Sequence, residues 1–308
     1  MRRLPFRSER GFTLMEAVLV IVIVGIIGGM VAVFIRAPVL GYVQSASRVE
    51  LSDAADTALR RIGRDVRLAL ANSVRRTTQG SDRVYLEFLL TKTGGRYRAA
   101  DDGTGATGTP LSFTDTTSKT FTVVGPALPT DPTDAQKIVN DDKIVVYNLG
   151  PGMSPANAYA DCAAGCNRAT VDSVDYANNL ITLVDNPFAA QATIAPNMIF
   201  PSPDNRFAVV ESPVTYVCDK TARTLTRYWG YAIQSAQPAN ADDVPLANTN
   251  TKKALLAKDV IACDFSYDNA VTGLNSQRTG LVGLSLTLQD ANGEMVTLFH
   301  QVHVDNTP

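Results

Sequence analysis

From Ala17 to Ile35 the chain runs nineteen residues without a charged side chain, and no other feature limits its fold as strongly. As a helix this stretch rises about 28 Å at 1.5 Å per residue, close to the hydrocarbon thickness of a bilayer. It therefore predicts a membrane-spanning helix. The flanks set its orientation. Residues 1–11 hold Arg2, Arg3, Arg7 and Arg10 against the single Glu9, a side-chain charge of +3 in a chain whose formal net charge is −2. By the positive-inside rule the leader stays in the cytoplasm and everything beyond Arg36 lies outside. A secretory signal peptide has a shorter apolar core and a small-residue cleavage site after it, which "VAVFIRAPVLGY" does not supply.

One residue does not fit a plain anchor. Glu16 stands at the edge of the apolar run, and a carboxylate at the bilayer centre costs about 2.5–3.5 kcal/mol on insertion scales. A charge there needs a partner. Around it the sequence reads "GFTLME", Gly11 to Glu16, behind a short basic leader and ahead of the span. This pattern resembles the class III leader of type IV prepilins and type II secretion pseudopilins. The resemblance implies that a prepilin peptidase cuts between Gly11 and Phe12 on the cytoplasmic side and that Phe12 becomes the N-methylated first residue. It also implies a role for Glu16, the fifth residue after the cut: pairing with the new amine of a neighbouring subunit as helices are staggered into a filament. Paired, a charge in a low-dielectric bundle is far less unfavourable than alone. The plainer alternative is an interfacial glutamate solvated by headgroups.

Beyond the span, Pro38 predicts a kink or short break near Ala37. From Gln44 to Ala71 the residues Ala55, Leu59, Ile62, Val66 and Leu70 recur at helical spacing, an apolar stripe that should pack against a sheet. The opposite face is read as carrying Arg60, Arg61, Arg64, Arg67, Arg75 and Arg76, with Asp56 and Asp65 in reach for local pairing. Arginine runs can grip phosphates, yet no aromatic residues interleave with these, and a solvated or subunit-contacting face is the better reading than nucleic acid.

After Asn72 the pattern turns to period two. Segments 83–90, 119–125, 142–149, 179–184, 207–218, 223–233, 260–267, 280–290 and 294–304 read as strands, and "DANG" at Asp290–Gly293 as a hairpin turn. Stretches 99–110, 126–135 and 234–251 read as exposed loops. The fold class expected is α+β and pilin-like, a long N-terminal transmembrane and amphipathic helix packed on an antiparallel β-sheet domain. The boundaries expected are a leader at 1–11, an assembly helix at 12–36, its amphipathic continuation at 37–72 and an exported β-rich domain at 73–308.

An exported chain should use its four cysteines as disulfides. Three connectivities exist. Cys162–Cys166 with Cys218–Cys263 is favoured, because the first pair closes a short loop and the second joins two core strands; a zinc site at the C-x3-C spacing is the alternative. No catalytic constellation, metal site or cofactor motif is found. His300 and His303, the only histidines, lie three apart on a strand and face opposite ways. "GTGATG" at Gly103–Gly108 has neither a strand before it nor a helix after it. Aspartates at 101–102, 131–134 and 141–142 lack calcium-loop spacing and read as turn residues.

The C-terminal half, with "SPVTYVCDKTARTLTRYWGYAI", "VIACDFSY" and "EMVTLFHQVHVDNTP", is similar to the large minor pilins, most of all the MshO type of mannose-sensitive haemagglutinin (MSHA) pilus systems. PilW-type minor pilins and the J-type pseudopilin are close in plan. That resemblance implies no enzyme but a structural part in pilus assembly, with a prepilin peptidase, other major and minor pilins, the inner-membrane assembly platform and, through residues 17–35, the lipid bilayer as partners. The alternative is a tip-displayed adhesin or DNA receptor.

Overall fold

The computed structural model describes residues 11–99, 108–162, 166–194, 198–267 and 279–308. The leader before Gly11, Asp101, Asp102 and all of "GTGATG" but its last glycine lie outside the described residues. The chain divides into two units, Met1–Glu50 and Leu51–Pro308. Helix α1, Leu14–Arg67, supplies the described helix of the first and continues into the second.

In the first unit every α1 residue from Leu14 to Arg36 is exposed, Phe34 by 82%. Pro38 lies inside the helix without ending it, so the expected break does not occur. Proline removes one amide donor and crowds one carbonyl, whereas the remaining bonds of a long cooperative helix stay in place.

The second unit begins with the apolar stripe. Ala55, Leu59, Ile62 and Val66 are all buried in one core, and Leu70 in an adjoining one. α1 stops at Arg67, earlier than the stripe alone suggests. There the Leu70 N–H donates to the Leu89 carbonyl and the Thr91 N–H to that of Leu68, so a strand takes over the backbone groups that another helical turn would use.

The strands are β1 (Arg75–Gln79), β2 (Arg83–Tyr97), β3 (Thr120–Val124), β4 (Lys143–Val145), β5 (Arg168–Asp175), β6 (Leu180–Leu183), β7 (Arg206–Asp219), β8 (Thr224–Trp229), β9 (Lys252–Lys258), β10 (Val260–Tyr267), β11 (Thr279–Gln289) and β12 (Met295–Asp305), with a short helix α2 at Pro187–Ile194. Two antiparallel sheets form rather than one: nine strands ordered β1-β2-β3-β6-β5-β4-β7-β8-β9 and three ordered β10-β11-β12. α1 shares its core with both. Val84, Leu86 and Phe88 of β2 and Val214 and Tyr216 of β7 meet the helix stripe, as do Leu284, Leu286 and Val302 of the small sheet.

β2 runs past the predicted Leu90 to Tyr97 because Gly94 and Gly95 let β7 come close; a Cβ on either would stand 2.9 Å from Phe207. Register shifts at Leu89/Thr91 and Thr91/Thr93 bend the pair. The bend matters for topology. β2 pairs β3, β3 pairs β6, β6 pairs β5, β5 pairs β4, β4 pairs β7 and β7 returns to β2, a closed ring around Phe121, Ile144, Val171, Ile181 and Phe207. Residues between β2 and β7 thus build a core of their own.

Two charged clusters bind the second unit internally. Asp65 of α1, only 4% exposed, accepts from Arg227 Nε at 2.8 Å and from the Tyr216 hydroxyl at 2.7 Å, with Arg61 at 3.5 Å. Burial, and the adjacent carboxylate, push the Tyr216 phenol up. Local helix pairing was the expectation for Asp65; its main partners instead come from β8 and β7. Asp56 does pair locally, with Arg60 at 2.6 Å. Arg75 and Arg76 are not on the helix face at all. Arg75, on β1, binds the fully buried Glu87 at 2.6 Å, stacks over the Tyr159 ring at 3.6 Å and donates to the Gln234 and Ser235 carbonyls. The stretch 234–251 is therefore only partly an exposed loop, and Leu246 is 3% exposed beneath it.

Candidate functional site at the capped start of the long helix

Helix α1 begins at a capping motif. Thr13 stands just before Leu14, where its side chain can satisfy amides that have no partner further back. The Glu16 N–H donates to Thr13 Oγ1 at 3.3 Å and to the Thr13 carbonyl at 3.1 Å, and the Ala17 N–H donates to that carbonyl at 3.1 Å. "TLME" is the S/T-x-x-E spacing of a capping box. Thr13 does not stand out in the sequence by itself, because this spacing marks a cap only where a helix is known to start. Only one half of the box is made. Among the described residues the Glu16 carboxylate has neither hydrogen-bond nor ion-pair partner, and it lies exposed in the first helical turn, where the helix dipole favours a negative charge.

The residues around it share that openness. Phe12 is 75% exposed, Leu14 85% and Met15 76%. A Cβ built on Gly11 meets nothing within 4 Å, so nothing in the described fold asks for glycine there. What the site offers is an accessible backbone at Gly11–Phe12, a fixed helix start and a carboxylate without a mate.

The other singled-out residues fall elsewhere and do not join this site. Cys162 is bonded to Cys166 and Cys218 to Cys263, leaving no free cysteine among the described residues. Cys218 is on β7 and Cys263 on β10, so the second bond ties the two sheets together covalently. His300 and His303 project to opposite faces of β12, the first half-buried and the second exposed. Asp131 and Asp134 accept from backbone amides two residues on, as turn aspartates do. Asp142 is buried against Lys92 at 3.0 Å. Among the described residues no group of three acidic, histidine or cysteine side chains gathers as a metal site would.

Residues 6–32 match the family model for the prokaryotic N-terminal methylation motif. No curated protein and no solved structure matches the chain. A methylation motif leading into a helix long and apolar enough to cross a membrane supports a membrane-anchored type IV pilin or pseudopilin with a class III leader, and with it processing by prepilin peptidase and assembly with other pilins.

Proposed function

We propose that this chain is a minor pilin of an MSHA-like type IV pilus, cut between Gly11 and Phe12, methylated on Phe12, and acting structurally where filament assembly is primed. In this reading residues 1–11 are the leader, 12–36 the assembly helix, 37–72 its continuation and 73–308 the exported domain. The protein starts in the inner membrane with its amino terminus cytoplasmic and ends in the pilus. The carrying observation is the unpartnered Glu16 carboxylate at the capped start of a helix whose apolar residues from Leu14 to Ile35 are all uncovered. A new amine at Phe12 would add positive charge to a helix end that is already positive, and a carboxylate from a neighbouring subunit relieves both. The separate core built between β2 and β7 favours a minor subunit over a major one, since a body of that size crowds a repeating lattice.

Glu16→Ala tests this. The variant should be inserted, cleaved and folded, yet be missing from sheared filaments and from crosslinks to other pilins. Its normal entry into filaments would reduce Glu16 to an interfacial residue. Gly11→Val should retain the leader in intact-mass measurement. Deleting the gene separates assembly from display: an assembly part takes all surface filaments with it, whereas a tip adhesin or receptor leaves piliation normal and attachment lost.

A further inference from the structure

Among the described residues four strands lie at sheet edges, β1 and β9 in the large sheet and β10 and β12 in the small one. An open edge presents unpaired amides and carbonyls, which proteins blunt with charge, proline, bulges or short length. Three of the four edges are blunted. β1 has five residues and opens on two arginines. β9 carries Lys252, Lys253 and Lys258 and a register shift against β8. β10 shifts register between Val260 and Ala262, and Arg76 binds its Asp264. Apart from Asp305 at its very end, β12 has none of these devices. Its eleven residues, "MVTLFHQVHVD", contain no lysine, arginine or proline and keep unbroken register with β11.

The register also says which groups are free. The Asp290 N–H donates to the Glu294 carbonyl, so this pair closes the hairpin as a hydrogen-bonded one, and such pairs alternate along an antiparallel ladder. Val296, Leu298, His300, Val302 and Val304 therefore bond to β11. The amides and carbonyls of Thr297, Phe299, Gln301 and His303 point to the open side, where no strand pairs with them among the described residues. Phe299 is 63% exposed on the outer face.

Helix α1 sets the charge beside this edge. A Cβ on Gly63 would stand 3.1 Å from His300 Nε2 and 3.2 Å from Val302 Cγ2, so β12 crosses α1 there. The helix neighbours of Gly63 away from the buried stripe are Arg60 and Arg67, three residues before and four after, with Arg64 between them. All three are exposed; Arg60 holds Asp56, and Arg64 and Arg67 have no ion pair among the described residues.

We infer that the open edge of β12, with Arg60, Arg64 and Arg67 alongside, is a docking surface for an extended acidic segment of another protein, which adds to β10-β11-β12 as a fourth strand. Its backbone pairs with Thr297, Phe299, Gln301 and His303, and its carboxylates on the α1 side meet the arginines. A second copy fits worse. β12 carries a single acidic residue, Asp305. The binding rests on β12 and the second half of α1, not on the membrane-anchored reading.

Short fluorescent peptides test the inference on the full-length chain in detergent micelles at low salt. They alternate threonine or valine with glutamate in one and lysine in the other, and anisotropy reports binding. The glutamate peptide should bind about tenfold tighter or better. Gln301→Pro, which removes an outward amide without touching the β11 ladder, should abolish that binding. A glutamate peptide N-methylated along its backbone should fail on the unaltered chain, so the result does not hang on the folding of the proline variant. Arg64→Gln with Arg67→Gln should erase the preference for glutamate. Equal binding of the two peptides, indifference to N-methylation, or self-association of the chain that Gln301→Pro abolishes would each overturn the proposal.

Discussion

The two halves of α1 use apolar residues in opposite ways. From Leu14 to Arg36 they point in every direction and all are exposed; from Leu51 to Arg67 all but Ala54 gather on one side, and Ala55, Leu59, Ile62 and Val66 are buried to within 3%. Hydrophobicity by itself therefore does not locate a core. A helix with a polar face has a direction in which to bury itself against its own domain, whereas one without it needs an apolar medium all round, either lipid or other helices.

That contrast can be broken most forcefully with charge. Asp65→Ala should destabilise the globular unit by about 3–5 kcal/mol, because Arg227 is left buried without its carboxylate. The matching change in the first half, Glu16→Ala, should leave the same unfolding transition where it was. Equal effects in denaturant melts would show that the two halves are not independent.

A smaller test uses packing. Ile62→Ala, fully buried, should lower stability by about 2–5 kcal/mol. Ile26→Ala, 54% exposed, should stay within about 0.5 kcal/mol of the unaltered protein. A large loss at Ile26 would mean that the first half packs on something within the chain.

The smallest effect sharpens the comparison by pH, since no carboxylate in the first half is buried as Glu87 is. Burial pushes the Glu87 carboxyl up, against the opposing pull of Arg75. Between the unfolded and the raised folded value, the folded state holds a proton that the unfolded state has lost. Stability should therefore fall as pH rises from the ordinary glutamate range through the folded pKa of Glu87. Thermal melts of Glu87→Gln should lose that slope, and a slope that persists would assign it to another group.

Much of the architecture could be read beforehand where the signal is local. The stripe on α1, the alternation in 83–90 and 207–218 and the turn at 290–293 each depend on residues a few positions apart. In the turn, Gly293 adopts φ +87°, a backbone region that glycine enters freely. β1, β5, β9 and α2 were not anticipated. The arginines of "RRTTQ" are read with the polar face of the helix and "KKALLAK" is given no element, because β propensity reports fit to a half-buried surface, and that surface arrives from elsewhere in the chain. At the candidate site, Gly11, Phe12 and Glu16 stood out by spacing, and Thr13 did not, because a cap is recognised only once the helix start is fixed.

By itself, then, the sequence determined a basic N-terminal segment, a helix long and apolar enough to cross a bilayer and a stripe that must face a sheet, all set by periodicity and by the apolar thickness a helix can cross. Tertiary structure alone decided that Asp65 meets Arg227, 162 residues away, that Arg75 binds the buried Glu87 rather than being displayed on a helix, that β2 and β7 close a ring, and that β12 is left open among the described residues. The physical reason is the range of the interaction. Helix and turn preferences are settled among neighbours within a few residues, whereas the partner of a buried charge and the neighbour of an edge strand depend on which distant segments the whole chain brings together.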